Sequence, residues 1–226
     1  MAQTILTKAQ KVLLGKISQY LPITKRFYFT GGTALTEFYL QHRLSEDLDF
    51  FSEEEFDTTY ITIFLRKNAK AIGLKEMEID KKEGNRFMYF LDFGTQKLKV
   101  DFCSYPYPRI RADLGKKINN LKIDSIFDIA TNKVFTLFQH PRLRDYVDLY
   151  FIFQEEKNFT LKELVAYVRN KFDMHVDPKT LSRHFLDATI LEERDFPKML
   201  KPFNREKMNQ FFLGLARSLE KEIFKE

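Results

Sequence analysis

Gly31-Gly32-Thr33-Ala34-Leu35, followed by Ser45-Glu46-Asp47-Leu48-Asp49-Phe50-Phe51, is the stretch whose reading decides the fold. Residues 26–30 before it (Arg-Phe-Tyr-Phe-Thr) are β-prone and stop at the two glycines. Residues 33–41 carry Leu35, Phe38 and Tyr39 on one side of an expected helix. Leu48, Phe50 and Phe51 then interleave with Asp47 and Asp49, an alternation that predicts a strand with both aspartates on one face. The unit is strand, glycine turn, helix, carboxylate-bearing strand. Glycine lets backbone approach a phosphate closely, and a helix N-terminus offers free N–H groups to it. Two carboxylates on one face repel unless a cation lies between them. The pattern therefore suggests a nucleoside triphosphate at one end of the unit and Mg²⁺ at the other.

Composition bounds the remaining possibilities. The chain has 226 residues, enough for one or two domains, with 24 Phe and 31% charged residues, which excludes a disordered chain. A net charge of +5 favours a polyanion such as RNA, and equally serves as a solubilising surface. A single cysteine, Cys103, forms no internal disulfide, so the expected compartment is the reducing cytoplasm. No apolar run is long enough for a membrane span, and the N-terminal residues lack the apolar core of a signal peptide.

Working outward, residues 4–20 read as a helix with Leu6, Leu13, Leu14 and Ile17 on its apolar stripe, ended by Pro22. Residues 57–71 read as another, with Gly73 as its C-cap. Residues 75–81, 86–93 and 97–103 read as an antiparallel meander, with turns at 82–85 and 94–96. In the last strand Leu98, Val100 and Phe102 face one way, and Lys97, Lys99, Asp101 and Cys103 the other, so Asp101 projects from a sheet as Asp47 and Asp49 do. The proline-rich connection Tyr105-Pro106-Tyr107-Pro108 suggests a domain boundary, giving domains 1–110 and 111–226. Beyond it the pattern is helical: 126–139 capped by Asp124 or Ser125, 144–154, and 161–172 behind the capping box Thr160-x-x-Glu163. A fourth helix begins at Asp177-Pro178, and a last one runs from Asn204 to about residue 224.

Three strand carboxylates beside a glycine turn are what phosphoryl or nucleotidyl transfer requires. Two Mg²⁺ about 3.5–4 Å apart can activate an attacking oxygen and stabilise the leaving pyrophosphate. Gly31-Gly32 also reads as a simple turn, Asp47 and Asp49 as solvent-facing residues, and Arg142, Arg144 and Asp145 as a surface ion cluster. Cys103 reads as a small packed residue rather than a nucleophile.

The blocks Gly31-Gly32-Thr33-Ala34-Leu35…His42-Arg43-x-Ser45-x-Asp47-x-Asp49-Phe50-Phe51 and Asp128-Ile129-Ala130-x-x-Lys133…Arg142-x-Arg144-Asp145-Tyr146-x-Asp148-Leu149-Tyr150 resemble the AbiEii/AbiGii-type nucleotidyltransferase toxins of the DNA polymerase β-like superfamily. The resemblance covers about residues 27–153, and two blocks in order are more specific than either alone. It implies an α/β (α+β) protein: a polymerase β-like mixed sheet with helices, then a C-terminal helical bundle closing the nucleotide cleft. It implies that Gly31, Gly32 and Thr33 hold the triphosphate, with Arg43 and Ser45 flanking it. Asp47 and Asp49 would bind Mg²⁺, and Asp101 would be a third metal ligand or the base for the attacking hydroxyl. Lys133 would neutralise the triphosphate, with Arg142 and Arg144 also on the nucleotide, and Asp148 would anchor that end of the pocket or orient Lys133, a job Asp145 could also do beside the nucleotide. The implied activity moves an NMP from an NTP to the 3′ end of tRNA, in a toxin paired with an antitoxin. Protein AMPylation and a non-catalytic nucleotide- or RNA-binding module are the alternatives.

Overall fold

The structure is a computed structural model; it describes residues 4–82, 86–139, 141–191 and 196–223. Two compact units divide the chain, Met1–Ser125 and Ile126–Glu226. The division falls later than the boundary expected at residue 110. The reason is backbone pairing: two short strands, β6 (Lys117–Ile118) and β7 (Leu121–Ile123), follow the proline-rich connection and rejoin the first sheet, with Phe29 opposite Ile123. Neither strand is long enough to announce itself by alternation.

The first unit holds one mixed sheet of order β3-β4-β5-β2-β1-β7-β6. Its remaining strands are β1 (Tyr28–Thr30), β2 (Leu48–Ser52), β3 (Glu76–Lys82), β4 (Arg86–Asp92) and β5 (Lys97–Ser104). The meander β3-β4-β5 forms as the alternation predicts, though the expected turn at 82–85 lies largely outside the described residues. β1 and β2 are antiparallel, and β2 then runs parallel to β5. This register fixes two rows across the sheet. Phe29, Phe50 and Phe102 form one row, and Thr30, Asp49 and Asp101 form the next. Side chains alternate between faces, so the phenylalanine row and the carboxylate row point in opposite directions.

The apolar face carries the core. Helix α1 (Lys8–Ile17) buries Leu13, Leu14 and Ile17, and α4 (Thr59–Ile72) buries Ile61, Phe64, Leu65 and Ile72. Thr62 of α4 and the Tyr89 hydroxyl lie 3.1 Å apart, tying that helix to the strand face. Phe102 is fully buried, stacked at 5.0 Å on Phe50 and edge-on to Phe27 and Tyr89. The first helix is shorter than expected. A Thr7–Gln10 capping box starts it, and it ends at Ile17, while Pro22 opens a separate turn, α2 (Leu21–Thr24), where a missing N–H costs nothing. Gly73 takes the left-handed C-cap that the sequence predicts.

The second unit consists of helices α5 (Ile126–Thr136), α6 (Leu143–Glu155), α7 (Leu161–Phe172), α8 (Pro178–Asp187) and α9 (Arg205–Ile223). Thr160 caps α7 through the Glu163 amide, and Asp177 caps α8. The helices pack through aromatic rings: Phe135 stacks on Phe172 at 3.7 Å, and Tyr146 meets Phe212 edge-on at 5.4 Å. The helix expected over 126–139 stops at Thr136, and the next begins just past Pro141, at Leu143.

Because Phe102 fills the centre of the apolar face, Phe102→Ala should lower unfolding stability by about 3–5 kcal/mol. A urea titration followed by circular dichroism should show a lower midpoint with an unchanged slope.

Candidate active site

The glycine turn is built against the carboxylate row. Gly31 follows β1 with a left-handed φ of 75°, where an L side chain is strained. A Cβ there would collide with the Asp49 carboxylate, and one on Gly32 would meet Arg43 Nη2 at 2.7 Å and Ser45 Oγ at 3.0 Å. The two glycines thus let the chain lie directly on Asp49, Arg43 and Ser45. From Gly31 the chain winds as α3 (Gly31–Leu35), loosens into a π-helical turn over Thr36–Leu40, and closes at Gln41 in the left-handed region. The helix expected over 33–41 is therefore present in two pitches.

Thr33 is fully buried, and its hydroxyl donates to the Asp47 backbone carbonyl. That side chain holds the entry to β2 rather than reaching outward. The following loop is fastened from beneath by Gln10, whose amide donates to the carbonyls of Ser45 (2.9 Å) and Glu46 (3.0 Å). Arg43 is buried, with Nη1 donating to its neighbour's carbonyl, Leu44, at 2.9 Å.

Asp49 and Asp101 are direct neighbours across the parallel β2–β5 pair. Asp101 is 1% exposed, and its Oδ2 receives Arg86 and, at 3.3 Å, Lys99; its Oδ1 is buried without a hydrogen-bond partner. The Lys99 ammonium also reaches Asp47 Oδ2 at 2.9 Å. Burial raises the Asp49 carboxyl, and the charges of Asp101 and Asp47 add to this, to about 6. The site therefore draws positive charge towards Asp49. Among the described residues, no three His, Cys, Asp or Glu side chains are gathered closely enough to form a ready metal cage. The oxygen donors nevertheless suit a hard cation: carboxylates only, one of them with an orphaned buried oxygen. Cys103 lies on the same face, and burial pushes its thiol up to about 11, so it stays protonated.

Arg86 and Lys99 are absent from the sequence-based candidates. The signal was present for Lys99, which alternates onto the face of Asp101; for Arg86 it depended on the β4–β5 register, which sequence alone leaves open.

The second block of candidates forms its own cluster in the helical unit. Lys133 of α5 donates to Asp145 Oδ1 at 2.6 Å and lies 2.7 Å from Asp148 Oδ2, both on α6. Asp148 is fully buried, and Asp145 Oδ2 accepts from the Arg142 amide at 3.0 Å, capping the helix. Arg142 thus enters the cluster through its backbone, and Arg144 lies half-buried in the first turn of α6. A second lysine, Lys171 of α7, lies 3.5 Å from Asp128, both fully buried.

The description "Nucleotidyl transferase AbiEii toxin, Type IV TA system" matches this chain over residues 19–223. The chain belongs to the AbiEii nucleotidyltransferase toxin family. It is an enzyme of the nucleotidyltransferase class, from the toxin side of toxin–antitoxin systems, with an NTP as substrate and an antitoxin as counterpart. An uncharacterized Aquifex aeolicus protein is 31% identical over 192 residues, covering 81% of this chain and 84% of that protein. Two H. pylori crystal structures share the fold. One is a proposed nucleotidyltransferase (TM-score 0.59, 21% identity, 96% of this chain and 95% of that one), and the other is JHP933 (TM-score 0.58, 22% identity, 96% and 92%). The mixed sheet with its flanking helices is thus the fold of these two structures. No helix among the described residues is long and apolar enough to cross a membrane.

Two predictions follow from the geometry. Gly31→Ala should cost about 1–2 kcal/mol from its backbone conformation alone, and more from the collision with Asp49, read as a lower melting temperature. The second concerns Asp49, which titrates near 6 when folded against 3.8 for an unperturbed carboxyl. The folded state therefore binds this proton more tightly. That contribution is complete below the unfolded value and lost as pH rises through about 6. Asp49→Asn should accordingly be more stable than wild type near neutral pH by about 2 kcal/mol, with the advantage shrinking as pH falls towards 4. Thermal melts across that range check it.

Proposed function

We propose that this protein transfers an NMP group from an NTP to the 3′-terminal hydroxyl of a tRNA, with Mg²⁺ held by Asp47 and Asp49. The observation that carries the reading is the contact of the Gly31-Gly32 turn with a carboxylate row whose central member, Asp49, is pushed towards protonation. The glycines seat the turn against Asp49, Arg43 and Ser45, so its backbone N–H groups would meet a triphosphate beside the carboxylates, and the net charge of +5 suits a nucleic-acid acceptor. Arg43 and Ser45 flank the turn and bind phosphate oxygens. The bound cation would polarise the α-phosphate and stabilise the departing pyrophosphate. Asp101 would accept the proton of the acceptor hydroxyl. That hydroxyl oxygen forms the new bond to the α-phosphorus, and the bond from that phosphorus to the bridging oxygen of the pyrophosphate breaks.

In the helical unit, Lys133 would be the residue that meets nucleotide phosphate. Asp148 and Asp145 hold its ammonium, so Lys133 is presented in one position rather than sweeping through solvent. Arg142 and Arg144 reinforce that charge. The antitoxin is the partner that silences transfer, and the cytoplasm is where NTP, tRNA and both proteins meet.

The test is incubation with each α-labelled NTP and either total tRNA or cell protein. Label should enter tRNA, and Asp49→Ala and Lys133→Ala should each reduce transfer by about two to three orders of magnitude while leaving the fold intact by circular dichroism. Label appearing only on protein would replace the tRNA acceptor with protein AMPylation. No transfer to either, with unchanged growth inhibition by Asp49→Ala, would leave a non-catalytic nucleotide- or RNA-binding module.

A further inference from the structure

Three carboxylates on one sheet face raise the question of how their mutual repulsion is met. In a two-cation centre, two divalent ions share the carboxylates and meet it entirely. Here part of that task is performed by the chain itself. Lys99 and Asp101 alternate onto the same face of β5, and the β2–β5 register, which pairs Leu48 with Val100, brings Asp47 opposite Lys99. The Lys99 ammonium consequently bridges the strands, 2.9 Å from Asp47 Oδ2 and 3.3 Å from Asp101 Oδ2. Arg86, reaching across from β4, occupies Asp101 Oδ2 as well.

This placement is selective. Among the described residues, Asp47 and Asp101 receive basic partners, whereas no salt bridge is made to Asp49 between them. Three negative charges against two positive ones leave one net negative charge, centred on Asp49. A single divalent ion meets that deficit, whereas a second would have to displace Lys99 from two carboxylates at once. An ammonium shared between two carboxylates at these distances makes the bridging contact that a metal ion otherwise makes.

We infer that Lys99 takes the place of one of the two metal ions of such a centre, so that this protein works with one divalent cation, at Asp47 and Asp49. This deepens the proposed nucleotidyl transfer and rests on that reading. Lys99 acts as a positioning residue through Asp47 and Asp101, and a lysine serving only to hold the sheet together would not control how many ions bind.

The experiment counts ions. The full chain, saturated in turn with the α,β-methylene analogues of ATP, GTP, CTP and UTP, is dialysed to equilibrium against Mn²⁺, and Mn²⁺ is measured per protein-bound nucleotide. Wild type should hold one, and Lys99→Met should hold two. Two ions on wild type would overturn the inference whatever the variant does, so the test survives a variant that fails to fold. One ion on both proteins would overturn it too, because Lys99 would not be what excludes the second. No Mn²⁺ with any analogue would instead overturn the underlying assignment of Asp47 and Asp49 as the cation site.

Discussion

The structure depends on one juxtaposition: Asp49 and Asp101, side by side on parallel strands, with the Gly31 backbone pressed against the first of them. Like charges at neighbouring register positions are unfavourable on a sheet. The fold accepts them because the opposite face is a close-packed phenylalanine row, Phe29, Phe50 and Phe102, which leaves the pairing register no freedom to slip. A one-residue shift would turn aspartates onto the apolar face and phenylalanines onto the carboxylate face. Apolar packing beneath the sheet therefore holds the polar arrangement above it. The repulsion itself is managed unevenly: among the described residues Arg86 and Lys99 make their ion pairs to Asp101 and Asp47 and none to Asp49.

Much of this was legible in the sequence where a rule of periodicity applies. Alternation in residues 86–103 predicts both the meander and the face of Asp101, and the helix signals at Thr160 and Asp177 locate α7 and α8 at their observed starts. What escaped was set by pairing rather than by local pattern. Strands β6 and β7 exist because β1 offers an edge to Leu121–Ile123, so the first unit extends through Ser125. The π-helical turn at Thr36–Leu40 likewise carries no distinct sequence period. Gln10 fastens the Ser45–Glu46 backbone from a helix far away in sequence, and only the folded chain discloses it.

The site candidates divide in the same way. The glycine turn, Arg43, Ser45, Asp47, Asp49 and Asp101 gather in the sheet unit, and Lys133, Asp145 and Asp148 gather in the helical unit. Each group is internally organised. Thr33 differs from the expectation, since its hydroxyl is spent on the Asp47 carbonyl. It acts by placing β2, which is a structural route to the same site. Lys99 is legible from its alternation onto the face of Asp101, whereas Arg86 reaches Asp101 only through the β4–β5 register.

The most direct measurement of the central claim is a crystal structure of the full chain grown with Mn²⁺ and a non-hydrolysable NTP analogue, with the metal located by anomalous scattering. The account predicts the anomalous peak between the Asp47 and Asp49 carboxylates and the triphosphate along the Gly31-Gly32 backbone. A metal bound away from this pair, or a triphosphate on another surface while the glycine turn stays clear, would contradict it.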